Sequence, residues 1–306
     1  MAVDRIIVGT RGSQLALWQT NHVIERLRKL YPDKELVVKE IKTQGDVAQN
    51  VPFSQVGKTG IFVKELESAL LSREIDLAVH SLKDMPSEVS AAFALPAILE
   101  REDPRDVLVS RLGLPLDKLP QGARIGTGSP RRGAQVKALR PDFQICLLRG
   151  NVDTRLRKAA GNEYEGAILA AAGIKRLGRE KEITQYLPLE ICLPAVGQGA
   201  MAVETRAGDA SLIELVAALN HTPTSRATSA ERALLKHLGG GCQVPIAAYG
   251  EVEGKTLHLR AIVASPDGSG LLRAEGIGPA KAPEELGREV GEKLLAQGAA
   301  ELLEED

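Results

Sequence analysis

Residues 124–139 read Arg-Ile-Gly-Thr-Gly-Ser-Pro-Arg-Arg-Gly-Ala-Gln-Val-Lys-Ala-Leu. Arg124–Thr127 suits a short strand. Ser129 suits a helix N-cap and Pro130 the first helical position, so a helix over Arg131–Leu139 is expected. The same order of strand, tight turn and helix occurs twice more. Arg5–Gly9 leads through Thr10-Arg11-Gly12-Ser13 into a helix over Ser13–Tyr31, with Leu17, Ile24, Leu27 and Tyr31 on one face. Gln144–Leu148 leads through Arg149-Gly150-Asn151 into a helix over Val152–Ala160. Strands at Leu36–Ile41, Asp76–His80 and Ala167–Ala170 and a helix at Phe62–Leu71 fill the intervals. This alternation predicts α/β architecture with open sheets and right-handed crossovers.

Two irregular segments interrupt the alternation. Glu100–Arg105 is charged and reads as a hinge between two α/β domains, and Leu193–Gly199 reads as the return crossing. The last third changes character. A helix over Ser225–Leu238 precedes Gly239-Gly240-Gly241, strand-like runs follow at Ile246–Val252, Leu257–Ala264 and Leu271–Gly276, and a final helix starts near Glu284 after Pro283. That pattern predicts a small α+β domain with an antiparallel sheet.

The chain has 306 residues and 43% hydrophobic content, enough for two or three cores. Its 39 basic and 40 acidic residues nearly balance, and aromatics are only 3%. Neither a global field for nucleic acid nor a stacking platform for single strands is expected. The most apolar stretch, Gly166–Ile174, is far below the ~18 residues of a membrane span. The opening residues lack the features of a signal peptide, and the three cysteines, Cys146, Cys192 and Cys242, form no metal-ligand spacing or disulfide framework. A cytoplasmic protein with no metal is expected.

The strand-to-helix turns carry the chemistry. Each has an arginine at or near a helix N-terminus: Arg11, then Arg131 and Arg132, then Arg149 with Arg155 one turn on. Helix N-termini offer unpaired N–H groups and the positive end of the dipole, and arginine adds bidentate recognition of carboxylate or phosphate. In open α/β sheets such turns collect at the carboxyl ends of the strands, so a cleft for several anionic groups is expected. Arg206 lies outside these turns and is expected to matter less to activity than Arg149. Neither phosphate motif holds: Pro52 stands where a Walker loop ending in Gly57-Lys58-Thr59 requires glycine, and the third glycine of a dinucleotide fingerprint is displaced to Gly133.

His80-Ser81-Leu82-Lys83-Asp84-Met85-Pro86 follows a buried-looking strand. Asp84 is either a salt-bridge partner or a carboxylate facing a cation that develops in a substrate; His80 reads as a structural partner. Cys242 follows three glycines, which favour an exposed loop tip and covalent attachment, whereas Cys146 and Cys192 read as core.

Taken together, these segments resemble the porphobilinogen deaminase family over essentially the whole chain. The resemblance rests on Thr10–Ser13 with Leu15–Gln19, Thr43–Asp46, Phe62–Glu67, Ala78–Pro86, Glu100–Asp106, Leu148–Val152, Leu193–Ala200, Ala230–Arg232 and Gly240–Pro245. It implies two α/β domains like those of periplasmic binding proteins, 1–99 with 200–218 and then 100–199, plus a C-terminal domain, 219–306, carrying the cysteine. It also implies a dipyrromethane cofactor held by a thioether to Cys242. On it four porphobilinogens condense with loss of ammonia, and hydrolysis releases hydroxymethylbilane, a step of tetrapyrrole and heme biosynthesis. By position in the matching motifs, Arg11, Ser13, Lys83, Arg131, Arg132, Arg149, Arg155 and Arg176 are expected to bind acetate and propionate groups, with Ser81, Thr127 and Ser129 adding hydrogen bonds. Phe62 is expected against a pyrrole ring and Asp84 beside the pyrrole N–H groups as the catalytic residue. A monomer is expected. Gly128 departs from the family's frequent serine and removes a hydroxyl from that turn. The segment 47–60 is expected to be a lid. The rival readings are a non-catalytic small-anion-binding protein with two hinged α/β domains, and a regulator's effector domain. The glycine-flanked Cys242 argues against the first, and no helix-turn-helix segment accompanies the second.

Overall fold

A computed structural model describes residues 4–42, 63–240 and 244–304. Phe62, Cys242 and the segment 47–60 lie outside the described residues. The chain divides into two compact units, residues 1–101 with 200–225 and residues 102–199 with 226–306. The architecture is α/β with an added antiparallel sheet. No helix among the described residues is long and apolar enough to cross a membrane.

In the first unit, β1 (Arg5–Thr10) leads into α1 (Gln14–Leu30), followed by β2 (Glu35–Glu40), α2 (Lys64–Leu71), β3 (Leu77–Ser81) and β4 (Phe93–Ile98). The helix α1 buries Ala16, Gln19, Thr20, Val23, Ile24 and Leu27, the face that its periodicity predicts, while Leu17 is only partly covered. The chain returns to this sheet as β10 (Met201–Arg206), and α6 (Ala210–Ala217) covers it. Strand order is β2-β1-β3-β10-β4. β1 runs parallel to β2 and β3, but β10 is antiparallel to both β3 and β4. The sheet is therefore mixed, and β4 and β10 are strands that the alternation did not reveal.

Polar anchors fix β10. The His80 Nε2 and Glu204 Oε2 atoms lie 3.0 Å apart in the interior. Arg206 donates through Nη1 to the carbonyls of Leu70 and Ile75, and through Nη2 to Asp76 and Asp209. It is thus a buried clamp between β10, the end of α2 and the start of β3. Arg206→Leu is expected to cost roughly 3 kcal/mol, since it strands buried carbonyls and two acids. Arg5→Leu, at a side chain 62% exposed with a loose 3.7 Å pair to Glu35, is expected to change stability little. Thermal unfolding of the two variants beside the parent checks this, and equal midpoints would refute the clamp.

The second unit holds two sheets. β5 (Asp106–Ser110), β6 (Arg124–Thr127), α3 (Pro130–Leu139), β7 (Gln144–Leu147), α4 (Val152–Ala159), β8 (Gly166–Ala170), α5 (Ala171–Arg176) and β9 (Gln185–Tyr186) build a sheet in the order β7-β6-β8-β5-β9. It too is mixed: β6 is parallel to β7 and β8, and β5 is antiparallel to β8 and β9. The other sheet is an antiparallel meander of β11 (Ile246–Glu253), β12 (Thr256–Ala264) and β13 (Leu271–Pro279). α7 (Thr222–His237) and α8 (Pro283–Ala296) bury their apolar faces on it, and α9 (Ala299–Glu304) completes the core. Cys192 is fully buried, as core residues are, but Cys146 on β7, an edge strand, is only half-buried.

Candidate functional site

In the first unit, the parallel register sets Val8 beside Leu77 and Gly9 beside Ala78, so β1 and β3 end at one edge of the sheet. Arg11 and Ser13 leave the end of β1. Ser13 caps α1, its Oγ accepting from the Ala16 N–H at 3.3 Å. Ser81 closes β3, and its Oγ accepts from Gln19 Nε2 at 2.8 Å, tying the strand end to α1. A single 3-10 turn, Leu82–Asp84, follows. Leu82 and Met85 are buried on either side of Lys83 and Asp84, which stay half-buried. The turn is pinned by its apolar residues, and its two charges remain accessible. Lys83 and Arg11 each have an interaction partner. Asp84 has no ion pair or side-chain hydrogen bond among the described residues, so it is not a salt-bridge partner there.

In the second unit, β6, β7 and β8 are parallel and end at one edge, with Thr127 beside Leu147 and Gly126 beside Ala167. Thr127 Oγ1 accepts from the Ser129 N–H at 3.2 Å, and Ser129 Oγ caps α3 by accepting from the Arg132 N–H at 3.4 Å. Gly128 has a steric reason. A Cβ there would lie 2.9 Å from the Leu148 carbonyl oxygen, so a serine would force the neighbouring strand end to shift. Asn151 caps α4 by accepting from the Thr154 N–H at 2.9 Å, and Arg155 Nε donates to the Gly150 carbonyl at 2.7 Å. Burial lowers the pKa of the Arg149 guanidinium. Arg176, at the end of α5, donates through Nη2 to the Gly199 carbonyl at 2.6 Å, and burial brings its pKa down to about 10. Both side chains keep their charge at neutral pH with reduced hydration, which favours contact with an anion.

Arg131 and Arg132 are placed differently from a simple reading of two ligand-facing cations. Each is only 4% exposed. Arg131 Nη1 donates to Asp106 Oδ2 at 2.7 Å and to the Leu193 carbonyl at 2.6 Å. Arg132 donates to Asp106 Oδ1 through Nε at 2.9 Å and through Nη2 at 2.7 Å. Asp106 also accepts from Gln198 Nε2 at 2.9 Å and from the Cys192 thiol at 3.3 Å. Although burial alone would raise it, the two guanidiniums hold the Asp106 carboxyl far below the usual carboxylate range. The sequence reading took Glu100–Arg105 as a hinge and gave Asp106 no role. The antiparallel register explains its place: Asp106 opens β5 opposite Ala170, the last residue of β8, and so lies at the edge where β6 delivers Arg131 and Arg132. An acid closing the run Glu-Arg-Glu-Asp-Pro-Arg-Asp, ahead of the apolar Val107–Val109, was the available signal.

Residues 6–214 match the family model described as porphobilinogen deaminase, dipyromethane cofactor binding domain, and residues 226–296 match porphobilinogen deaminase, C-terminal domain. A porphobilinogen deaminase of Shouchella clausii is 52% identical over 302 residues, covering 98% of this chain and 96% of that protein. One of Geobacter metallireducens is 50% identical over 305 residues, covering 100% and 96% respectively. Among solved structures, the Bordetella pertussis BvgS VFT2 domain aligns with 13% identity and a TM-score of 0.41 over 70% of this chain and 85% of that one. With two family models covering nearly all of it and relatives matched end to end at about half identity, the chain belongs to the porphobilinogen deaminase family.

Proposed function

We propose that this chain condenses four porphobilinogen molecules, with loss of ammonia, onto a dipyrromethane held through Cys242, and then releases hydroxymethylbilane by hydrolysis. The observation that carries the reading is the chemistry of the strand-end groups. Cations, capping serines and a threonine lie at the carboxyl ends of the parallel strands in each unit, and in the first unit Asp84, just past the end of β3, has no ion pair among the described residues. Pyrroles bearing acetate and propionate groups need such a donor set, so the residues present fit the cofactor. Arg11, Ser13, Lys83 and Ser81 in the first unit, and Thr127, Ser129, Arg131, Arg132, Arg149, Arg155 and Arg176 in the second, would hold these carboxylates. The dipyrromethane, when bound, supplies a free pyrrole α-carbon as nucleophile. In the substrate, the aminomethyl C–N bond breaks, its electron pair leaves with ammonia, and positive charge spreads into the ring. Asp84 accepts the pyrrole N–H and faces that charge. The division into domains 1–99 with 200–218, 100–199 and 219–306, a monomeric state and a cytoplasmic home belong to the same reading. The unpaired thiols of Cys146 and Cys192 suit a reducing compartment.

Intact mass of the purified chain, before and after porphobilinogen is added, tests this. The expected result is a chain heavier by a dipyrromethane, with further pyrrole increments as substrate is consumed and ammonia appears. An unmodified chain that neither gains mass nor releases ammonia would favour the small-anion-binding alternative.

Arg149 gives a more specific expectation. Arg149→Leu removes a partly dehydrated cation at the end of β7 and is expected to stall elongation or cofactor assembly, cutting activity at least ~10-fold, the order of one lost charged contact. Arg5→Leu, a change on the exposed side of β1, is expected to keep parental activity. Equal activity of the two loaded variants would remove Arg149 from the binding set.

A further inference from the structure

On the side of the first sheet that α2 covers, two ionisable side chains are buried that the reaction as read so far does not use. His80 on β3 is 5% exposed and Glu204 on β10 is fully buried. Their Nε2 and Oε2 atoms lie 3.0 Å apart, and Glu204 Oε1 has no hydrogen-bond partner among the described residues. Glu67 on α2, half-buried, senses both: burial first, and then the Glu204 charge, raises its pKa, while His80 and Lys64 oppose the rise. Apolar side chains of similar volume often stabilise such a site as well or better, so stability does not account for the pair.

The strand register shows what the pair does supply. β3 and β10 are antiparallel, with Ala202 opposite His80 and Glu204 opposite Ala78. Each long polar side chain thus faces an alanine, which leaves the diagonal between them open for the bond. A slip of two residues would keep the apolar residues of both strands on their own faces, but it would destroy this diagonal fit. The next positions of the ladder lead straight to Asp84. Met201 lies opposite Ser81, the Leu82 N–H donates to the Ala200 carbonyl at 3.0 Å, and the turn Leu82–Asp84 follows. From the other face of the sheet, Ser81 Oγ accepts from Gln19 Nε2 at 2.8 Å. The end of β3 is therefore tied on both faces, to β10 by His80 and to α1 by Ser81, immediately before the turn that carries Asp84.

We propose that His80 and Glu204 are positioning residues for the condensation: their diagonal bond fixes the end of β3 against β10 and so sets where the following turn holds the Asp84 carboxylate. Both are buried and act through the backbone from Ser81 to Asp84. The inference rests on the proposed reaction, and it gives a role in that reaction to a pair whose burial alone would mark it as structural.

The test is single-turnover formation of the first enzyme–substrate adduct by the cofactor-loaded full chain, with His80→Leu and His80→Gln, each alone and combined with Asp84→Asn. Leucine strands the Glu204 carboxylate, whereas glutamine can still offer it an amide N–H. His80→Leu is expected to form the adduct roughly 10–100-fold more slowly, as a displaced catalytic group does, while the porphobilinogen concentration giving half the maximal rate stays near the parental one. His80→Gln is expected to recover most of the lost rate. In the Asp84→Asn background, His80→Leu is expected to add no more than about a twofold loss, because both changes remove the same contribution. Losses that multiply, or a His80→Leu chain that unfolds at a lower temperature yet reacts at the parental rate in the cold, would overturn the proposal. Should His80→Leu yield no loaded protein, Glu204→Gln enters the same cycle, since it removes the charge and keeps an acceptor for the imidazole. A slower adduct step that adds nothing to Asp84→Asn supports the proposal, and a parental rate or a multiplied loss overturns it. A parent chain without any adduct would instead sink the functional reading itself, a result distinct from these.

Discussion

Cys242→Ser is expected to abolish thioether attachment of dipyrromethane, while Cys146→Ser and Cys192→Ser remain loaded. The structure separates the three cysteines physically. Cys192 is fully buried, donates its S–H to the Asp106 carboxylate, and has its pKa pushed up to about 12, first by burial and then by the Asp106 charge. A thiol so placed supplies almost no thiolate, and serine can keep its hydrogen bond. Cys146 is half-buried in β7, and its Sγ lies 3.7 Å from the Gln144 carbonyl oxygen. Cys242 lies outside the described residues, but what leads to it is defined. Helix α7 ends at His237, and Gly239 has φ +65°, a left-handed stop that glycine takes without strain. The buried residue at 240 is also a glycine, whose Cβ would meet Ile246 Cδ1 at 2.4 Å. The backbone therefore leaves the helix by a sharp, close-packed turn just before the cysteine. Mass spectrometry of the intact variants, followed by peptide mapping, gives the result directly. An adduct on Cys146 or Cys192 in the parent would end the assignment.

The elements that were legible in the sequence owe their clarity to local signals. Ser129 and Pro130 announced α3, Ser13 announced α1, and the meander of β11 to β13 showed alternating burial along β12. What escaped were the strands that arrive from a distance. All of β10 is buried, yet it reads Met-Ala-Val-Glu-Thr-Arg, half polar. Glu204 and Arg206 are stable inside because His80 and Asp76 meet them across separations of 124 and 130 residues. A hydrophobic pattern cannot anticipate partners so far away. β5 was missed similarly, since it opens with Asp106, whose arginine partners come from the following strand-turn-helix unit. These antiparallel insertions turn the expected parallel sheets into mixed ones. The same blindness affected the site. Motif position marked Arg131 and Arg132 but not Asp106, the buried acid that both of them bond. The segment around Asp84 leaves it between two roles, and its catalytic role is what the family resemblance implies; among the described residues it has no ion pair.

Asp84→Asn, made in a chain that still carries its cofactor, is expected to bind porphobilinogen and yet to form the first enzyme–substrate adduct at least ~100-fold more slowly, the scale of a lost electrostatic contribution to a transition state. The substrate's aminomethyl group is already an ammonium at neutral pH, so departure of ammonia does not require a proton from the enzyme. It requires that the electron pair leave with nitrogen while positive charge spreads over the pyrrole. Asp84 is suited to oppose that charge because its position is fixed by its neighbours. Leu82 and Met85 are buried, the Leu82 N–H donates to the Ala200 carbonyl at 3.0 Å, and the Met85 N–H closes the turn on the Leu82 carbonyl at 3.1 Å. The backbone that carries the carboxylate is thus held by packing and hydrogen bonds, and no salt bridge among the described residues engages the carboxylate. Asparagine keeps the size and can still accept from a pyrrole N–H, but removes the charge. The loss therefore falls on the chemical step and not on binding. Asp84→Glu keeps the charge at an altered reach and is expected to retain more activity than Asp84→Asn. Neither change touches a buried ion pair, so the unfolding temperature is expected to stay near that of the parent. Single-turnover mixing of loaded protein with porphobilinogen, followed by rapid quench and intact mass, isolates the step from cofactor assembly. Formation of the first adduct by Asp84→Asn at close to the parental rate would remove Asp84 from the reaction.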